Sequence, residues 1–224
     1  MSCKLNVVLD LDDTLIHSVQ YNNISTIPPV WKNKGTILIP GDYVTFRRPH
    51  LEKFLDFLFE NFNVGVFTAA SKDYANEIVW QFVQDKPGRK VDFLLSASDL
   101  QSSKQLYGSE TMKKLNYIWD NLHVYDYYPC NTIIIDDNLY VKQSNYYNTL
   151  SVHPFHVTEN DSEYDSTLLE AMDALREIKE NYNKNACSIH NRNTRCHDLR
   201  LSPNFTKEVV KTKKFGRFIE IREE

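Results

Sequence analysis

The chain has 224 residues, 42% of them hydrophobic and 12% aromatic, with a formal net charge of -4. That length and composition suit one compact domain with a modest appendage, and only 6 glycines and 8 prolines exclude a fibrous or low-complexity protein. From Lys184 onward 10 Lys and Arg face 5 Asp and Glu, so an acidic body carries a basic tail, a balance that argues against a nucleic-acid-binding domain.

Leu5 to Leu11 reads as a buried strand with recurring β-branched residues, and it runs into Asp10-Leu11-Asp12-Asp13-Thr14. Residues 20 to 35 are polar around Pro28-Pro29 and read as a loop. Thr36 to Ile39 and Tyr43 to Phe46 flank Pro40-Gly41-Asp42, which predicts a hairpin. Pro49 opens a helix whose Leu51, Phe54, Leu55, Leu58 and Phe62 share one face. Asn63 to Phe67 predicts a second buried strand ending at Thr68. Ser71 is the expected cap of a helix that turns Ala75, Ile78, Val79, Phe82 and Val83 inward.

Val91 to Leu95 predicts a short strand, and Ser109 to Leu122 a helix with Leu115, Ile118 and Leu122 facing the core. Thr132 to Ile135 is the most β-prone run and stops at Asp136-Asp137. Leu150 to Val157 is the expected last strand, and Ser166 to Tyr182 the last helix. Strands alternate with helices and are apolar on both faces, so the fold class is α/β: a Rossmann-like parallel sheet flanked by helices. Beyond residue 183 the pattern lapses, although Val209-Val210 and Phe218 to Ile221 have the makings of a small hairpin.

Three polar clusters each come directly after a buried strand: Asp10 with Asp12, then Thr68, then Asp136 with Asp137. Ligands of an open parallel sheet bind beyond the carboxyl ends of its strands. If these strands are neighbours, four carboxylates and a hydroxyl converge. Carboxylates at that density repel one another unless a cation sits among them, and an all-oxygen donor set favours Mg²⁺ over zinc. A hard cation held by two or three carboxylates keeps positions open for phosphate oxygens. Asp10 is then placed to attack phosphorus, while Asp12 protonates the leaving oxygen and later deprotonates the hydrolytic water. Asp-x-Asp alone also occurs in turns and calcium loops, and Thr68 alone could be a helix cap. The shared position at three strand ends is what points to one site.

Val7-Val8-Leu9-Asp10-Leu11-Asp12-Asp13-Thr14-Leu15-Ile16-His17-Ser18 resembles the signature of the haloacid dehalogenase superfamily. Within it, the closest resemblance is to the RNA polymerase II C-terminal-domain phosphatases and their small relatives. Arg48-Pro49, Phe67-Thr68-Ala69-Ala70 with Tyr74-Ala75, and Ile134-Ile135-Asp136-Asp137-Asn138 resemble that family in the same order, over about residues 4 to 180. The resemblance implies a haloacid dehalogenase-like domain over 1–183, roofed by a minimal hairpin flap, with a basic extension over 184–224. It implies Asp10 as the phosphorylated nucleophile and a metal ligand, and Asp12 as general acid/base with its backbone carbonyl on Mg²⁺. Thr14 would support the loop and join Thr68 in the phosphate-binding set. Asp136 and Asp137 would hold and orient the metal. The family also places a lysine at the start of a later helix to bind the phosphoryl group. Met112-Lys113-Lys114-Leu115 matches that place, with the spacing favouring Lys113 and leaving Lys114 as its rival.

Two departures bear on the substrate. Leu139-Tyr140 stands where small relatives carry Ser-Pro, and the segment from Ser96 to Ser109 is shorter than, or different from, the family's β-rich insertion that helps select a phosphoserine peptide. The expected function is therefore a phosphoric monoester hydrolase acting on phosphoserine or phosphothreonine of a phosphoprotein. A phosphatase of nucleic-acid ends or small molecules, and a catalytically silent scaffold, are the alternatives. Intact Asp10 and Asp12 argue against the silent version, and the acidic body against nucleic acid.

The four cysteines, Cys3, Cys130, Cys187 and Cys196, form no CxxC pair, and no disulfides are expected. No apolar run is long enough to span a bilayer and the N-terminus lacks signal-peptide features, so no membrane contact and an intracellular place, cytoplasmic or nuclear, are expected. The basic tail suits an acidic partner. His17 reads as a loop or packing histidine, and Arg47 and Arg48 as phosphate contacts or flap anchors. Cys187, His190, Cys196 and His197 match no standard zinc-finger spacing.

Overall fold

A computed structural model describes residues 4–38 and 42–189, with side chains to residue 183. The expected extension over 184–224, with its Cys/His group and its hairpin, lies essentially outside the described side chains.

Five parallel strands make the central sheet: β1 (Asn6–Leu9), β5 (Asn63–Phe67), β6 (Leu94–Leu95), β7 (Thr132–Asp136) and β8 (Thr149–Ser151), in the order β6-β5-β1-β7-β8. β1 lies at the centre, with Leu9 opposite Val66 on one side and Ile135 on the other. The chain leaves β1 first toward β5 and later toward β7, so the order reverses there, and a crevice opens beyond the carboxyl ends.

Alternation along the strands divides the core between the two faces. Val7, Leu9, Val64, Val66, Ile133 and Ile135 face α1 (Leu51–Asn61), α2 (Lys72–Ile78) and α5 (Thr167–Ile189). Val8, Phe67 and Ile134 face the other way, against Leu100 of α3 (Ala97–Tyr107), Ile118, and Val141 of α4 (Leu139–Ser144). The expected parallel sheet covered on both sides by helices is the observed architecture.

The flap is larger than a hairpin. β3 (Thr36–Ile37) and β4 (Tyr43–Arg47) pair as expected, and β2 (Ile16–Gln20) joins the other edge of β4 to give the order β2-β4-β3. Residues 20 to 35, expected as a loop, form two short 3₁₀ turns over Tyr21–Thr26 and Pro29–Trp31. Trp31 explains the difference. Its ring is buried against Phe46 and Phe155, and its indole N–H donates to Ser162 Oγ at 2.9 Å, so a satellite core holds the segment in place. Phe155 also shortens the last strand. β8 ends at Ser151 because Phe155 and Val157 turn away to fill that satellite core.

The helix expected over Ser109 to Leu122 is absent. The helix of that region is α3, which starts earlier under a capping box of Ser96 and Asp99 and stops at Gly108, whose φ of 106° breaks the turn. Past Gly108 the chain makes a series of turns and one π-helical turn over Tyr117–Asn121, with Leu122 41% exposed rather than in the core. The Ser96 to Ser109 segment is thus helical, with no β-rich insertion. Among the described residues no helix is long and apolar enough to cross a membrane.

Candidate active site

The loop after β1 is built by backbone constraint. Leu15 N–H donates to the Leu11 carbonyl at 2.8 Å, Asp13 N–H to the Ile16 carbonyl at 2.7 Å, and Asp13 adopts a left-handed φ of 59° that Asp tolerates. Asp10 itself continues β1, its N–H donating to the Ile135 carbonyl at 3.0 Å, so its side chain emerges beside the end of β7. Asp136 closes β7, and Asp137 is the next residue. One carboxylate oxygen from each of Asp10, Asp136 and Asp137 lies within 4.8 Å of the others.

Lys113 answers part of that charge. Its ammonium is buried, pairs with Asp10 Oδ1, and donates to Asp136 Oδ2 at 2.7 Å. Lys114 goes elsewhere, to the Ser144 carbonyl. The geometry therefore separates the two lysines that the sequence left open. Lys113 sits in a loop with φ 45° instead of on a helix, and Asn145 makes the loop: its Nδ2 donates to the Lys113 carbonyl at 3.1 Å and its Oδ1 accepts from Leu115 N–H at 2.8 Å.

Thr14 knits the carboxylates together. Its hydroxyl lies 3.3 Å from Asp10 Oδ2 and 3.1 Å from Asp137 Oδ1, and accepts from Asp137 N–H at 3.2 Å. Its hydroxyl thus ties the loop after β1 to the end of β7. Thr68 comes after β5, next to β1. Its buried hydroxyl accepts from Ala70 N–H at 3.1 Å, which leaves the proton to donate. Asp12 turns to the side, its Oδ1 accepting from the Tyr74 hydroxyl at 2.6 Å, while that hydroxyl also meets Ser18 Oγ at 2.6 Å. Sequence reasoning missed the roles of Tyr74 and Asn145. Tyr74 carried two signals: it stands in the motif that resembles the family, and it lies on the helix just past Thr68, three residues after the cap Ser71.

The site holds more negative charge than one lysine neutralises. Burial and then the Asp10 charge push Asp136 up to about 7, despite Lys113 and the Asn138 N–H. The same two causes raise Asp137 to about 6. Burial raises Asp12 to about 6, with Asp10 and Asp13 adding to it and the Tyr74 hydrogen bond opposing it. Burial works against the Lys113 charge, but Asp10 and Asp136 outweigh it and hold the ammonium protonated. Three clustered carboxylates with an all-oxygen donor set suit a hard divalent cation.

Comparison with known proteins agrees with this fold. The family model described as NLI interacting factor-like phosphatase matches residues 5–186. A CTD phosphatase-like protein of Invertebrate iridescent virus 6 (355R) is 39% identical over 176 residues, 76% of this chain and 96% of that protein. Its counterpart in Invertebrate iridescent virus 3 is 32% identical over 184 residues, 79% of this chain and 97% of its own length. Among solved structures, that of Fcp1, an RNA polymerase II CTD phosphatase, aligns with a TM-score of 0.52 at 18% identity. The alignment covers 92% of this chain and 60% of that one, a likeness of fold.

Proposed function

The chain belongs to the NLI interacting factor-like phosphatases, and from that premise we propose that it is a Mg²⁺-dependent protein phosphatase that works through a phosphorylated Asp10. The coarser activity, hydrolysis of a phosphoric monoester, comes with the family. The observation that carries the finer reading is the buried ammonium of Lys113 set between Asp10 and Asp136, with Asp137 completing the cluster. A carboxylate cannot approach a phosphate dianion unless positive charge offsets the repulsion, and this is where the charge is concentrated.

Asp10, Asp136 and Asp137, with the Asp12 carbonyl, would hold Mg²⁺. When bound, the ion supplies charge neutralisation at the phosphoryl oxygens. Asp10 would attack phosphorus in line, forming a new O–P bond as the ester P–O bond breaks. Asp12, near pH 6 in its proton affinity and fixed by Tyr74, would pass its proton to the departing oxygen. As a carboxylate it would then take a proton from the water that attacks phosphorus and frees Asp10. Lys113 and Thr68 would hold the phosphoryl oxygens.

A protein substrate is supported by the small roof. The flap is three short strands, which leaves an approach for a phosphorylated side chain on an extended peptide, and the relatives are described as CTD phosphatase-like. The helix over the Ser96 to Ser109 segment leaves the particular peptide open.

Asp10→Asn, assayed on an aryl phosphate with Mg²⁺, should abolish turnover; undiminished turnover would remove the nucleophile. Phosphoserine and phosphothreonine peptides should be hydrolysed in preference to end-phosphorylated oligonucleotides and small phosphomonoesters. The opposite ranking would remove the protein substrate while leaving the chemistry intact.

A further inference from the structure

Among the described residues a second group of metal-ligating side chains lies outside the carboxylate cluster: Asp13, His17 and His156, whose ligand atoms fall within 4.8 Å of one another. We propose that these three residues form a separate site for a borderline divalent d-block ion, Zn²⁺ by its donor set. Two imidazole nitrogens and one carboxylate suit zinc and disfavour Mg²⁺, which takes oxygen ligands and dehydrates reluctantly.

The distances are close to those required. Tetrahedral N and O ligands bound to zinc at 2.0–2.2 Å stand about 3.4 Å apart. His156 Nε2 and Asp13 Oδ2 are already 3.4 Å apart. His17 Nδ1 and Asp13 Oδ1, at 2.6 Å, share a hydrogen bond that must open slightly to admit the ion. The two rings do not stack flat: their centroids are 5.1 Å apart and their planes cross at 64°, with both directed at the same carboxylate. The side chains of Asp13, His17 and His156 are 36%, 17% and 34% exposed, which leaves an entry path and room for a water as fourth ligand.

An independent sign lies outside the trio. His156 Nδ1 is 3.1 Å from Glu159 Oε1. A carboxylate on the far nitrogen of an imidazole fixes the tautomer that keeps Nε2 free for a metal, and metal-bound histidines regularly have such a partner. The bland competitor is that Asp13 hydrogen-bonds both rings and binds nothing.

The ion would fasten the chain beyond β8 to the loop after β1 and to β2, the strand that continues that loop. This inference does not depend on the phosphatase reading, because none of the three residues belongs to the proposed chemistry.

Equilibrium dialysis of the full chain against Zn²⁺, in excess Mg²⁺ to fill the carboxylate cluster, tests it by metal analysis. His17→Ala and His156→Ala should each bind one Zn²⁺ per chain fewer than the wild type. Any zinc held elsewhere contributes equally to all three proteins and cancels. Equal stoichiometry in the three proteins overturns the proposal. Should either alanine variant fail to fold by circular dichroism, Glu159→Gln replaces it; its affinity for that zinc should fall about 10–100-fold, and an unchanged affinity overturns the proposal as well.

Discussion

Lys113 and Arg48 are both buried cations facing carboxylates, and they differ in whether the charges balance. Arg48 meets Asp165 through two bonds, Nε to Oδ1 at 3.1 Å and Nη2 to Oδ2 at 3.0 Å. Its remaining donors reach the Thr14 carbonyl at 2.9 Å and the His153 carbonyl at 2.7 Å. Burial works to raise Asp165, but the hydrogen bond and charge of Arg48, with the Thr167 N–H, hold it below the usual carboxylate range. One cation, one anion and filled hydrogen bonds make a joint between the loop after β1, the chain beyond β8 and the start of α5. Lys113 instead faces Asp10 and Asp136 with Asp137 close by, and burial together with the Asp10 charge raises the pKa values of Asp136 and Asp137. A balanced buried pair holds a fold; an unbalanced one is prepared for a ligand.

The sharpest way to break this comparison is Asp10→Asn. Activity should fall by about 10⁴-fold or more, some 5.5 kcal/mol of transition-state stabilisation, while stability stays level or rises because repulsion is relieved. Urea denaturation beside steady-state assays reads both. Arg48→Ala should do the reverse at the joint and cost about 3–5 kcal/mol of stability by stranding Asp165. The Asp165 contribution is present above the ordinary carboxylate pKa and is lost as pH falls through its lowered folded value. The gap between wild type and Arg48→Ala should therefore narrow below about pH 4 in urea titrations.

Mg²⁺ should stabilise the surplus side. At a hundredfold excess over its dissociation constant the gain is about 2.7 kcal/mol. Asp136 and Asp137 have raised values, so without the ion their protonated forms favour the fold at low pH, and that advantage is lost as pH rises through about 6 to 7. The shift of melting temperature by Mg²⁺ should thus be larger at pH 8 than at pH 5. Tyr74→Phe removes one hydrogen bond to a charged group, worth about 1.5–3 kcal/mol, so kcat should drop about 10–100-fold with little change in KM. The same bond lowers the Asp12 proton affinity, so the limb of the pH–rate profile set by Asp12, about 6 in the wild type, should move upward. Asp56→Ala, at an exposed carboxylate that pairs with Arg89 and Lys86, should change stability by less than about 1 kcal/mol.

Local chemistry makes much of this legible in advance. β1, β5 and β7 announce themselves as apolar runs that stop at Asp, Thr and Asp, because a strand buried on both faces is apolar between its first residue and its end. The helix expected over Ser109 to Leu122 does not form, although Leu115, Ile118 and Leu122 mimic its period. The real helix, α3, buries only Leu100 and Ser103 and so has little periodic signal. β2 is hidden in the sequence because Ile16–Gln20 reads as the end of a motif, and its partner β4 is distant along the chain.

By itself the sequence determined which carboxylates end which strands, and hence the acidic character and the chemistry available to the site. Tertiary structure alone decided that Lys113 and not Lys114 serves the cluster, because Asn145, 32 residues away, sets the loop around it. It also decided that Tyr74 holds Asp12 across 62 residues, and that His156 meets Asp13 and His17. Hydrophobic periodicity is a local property and can be read along the chain. The direction of a single hydrogen bond between distant segments depends on packing that exists only once the chain has closed on itself.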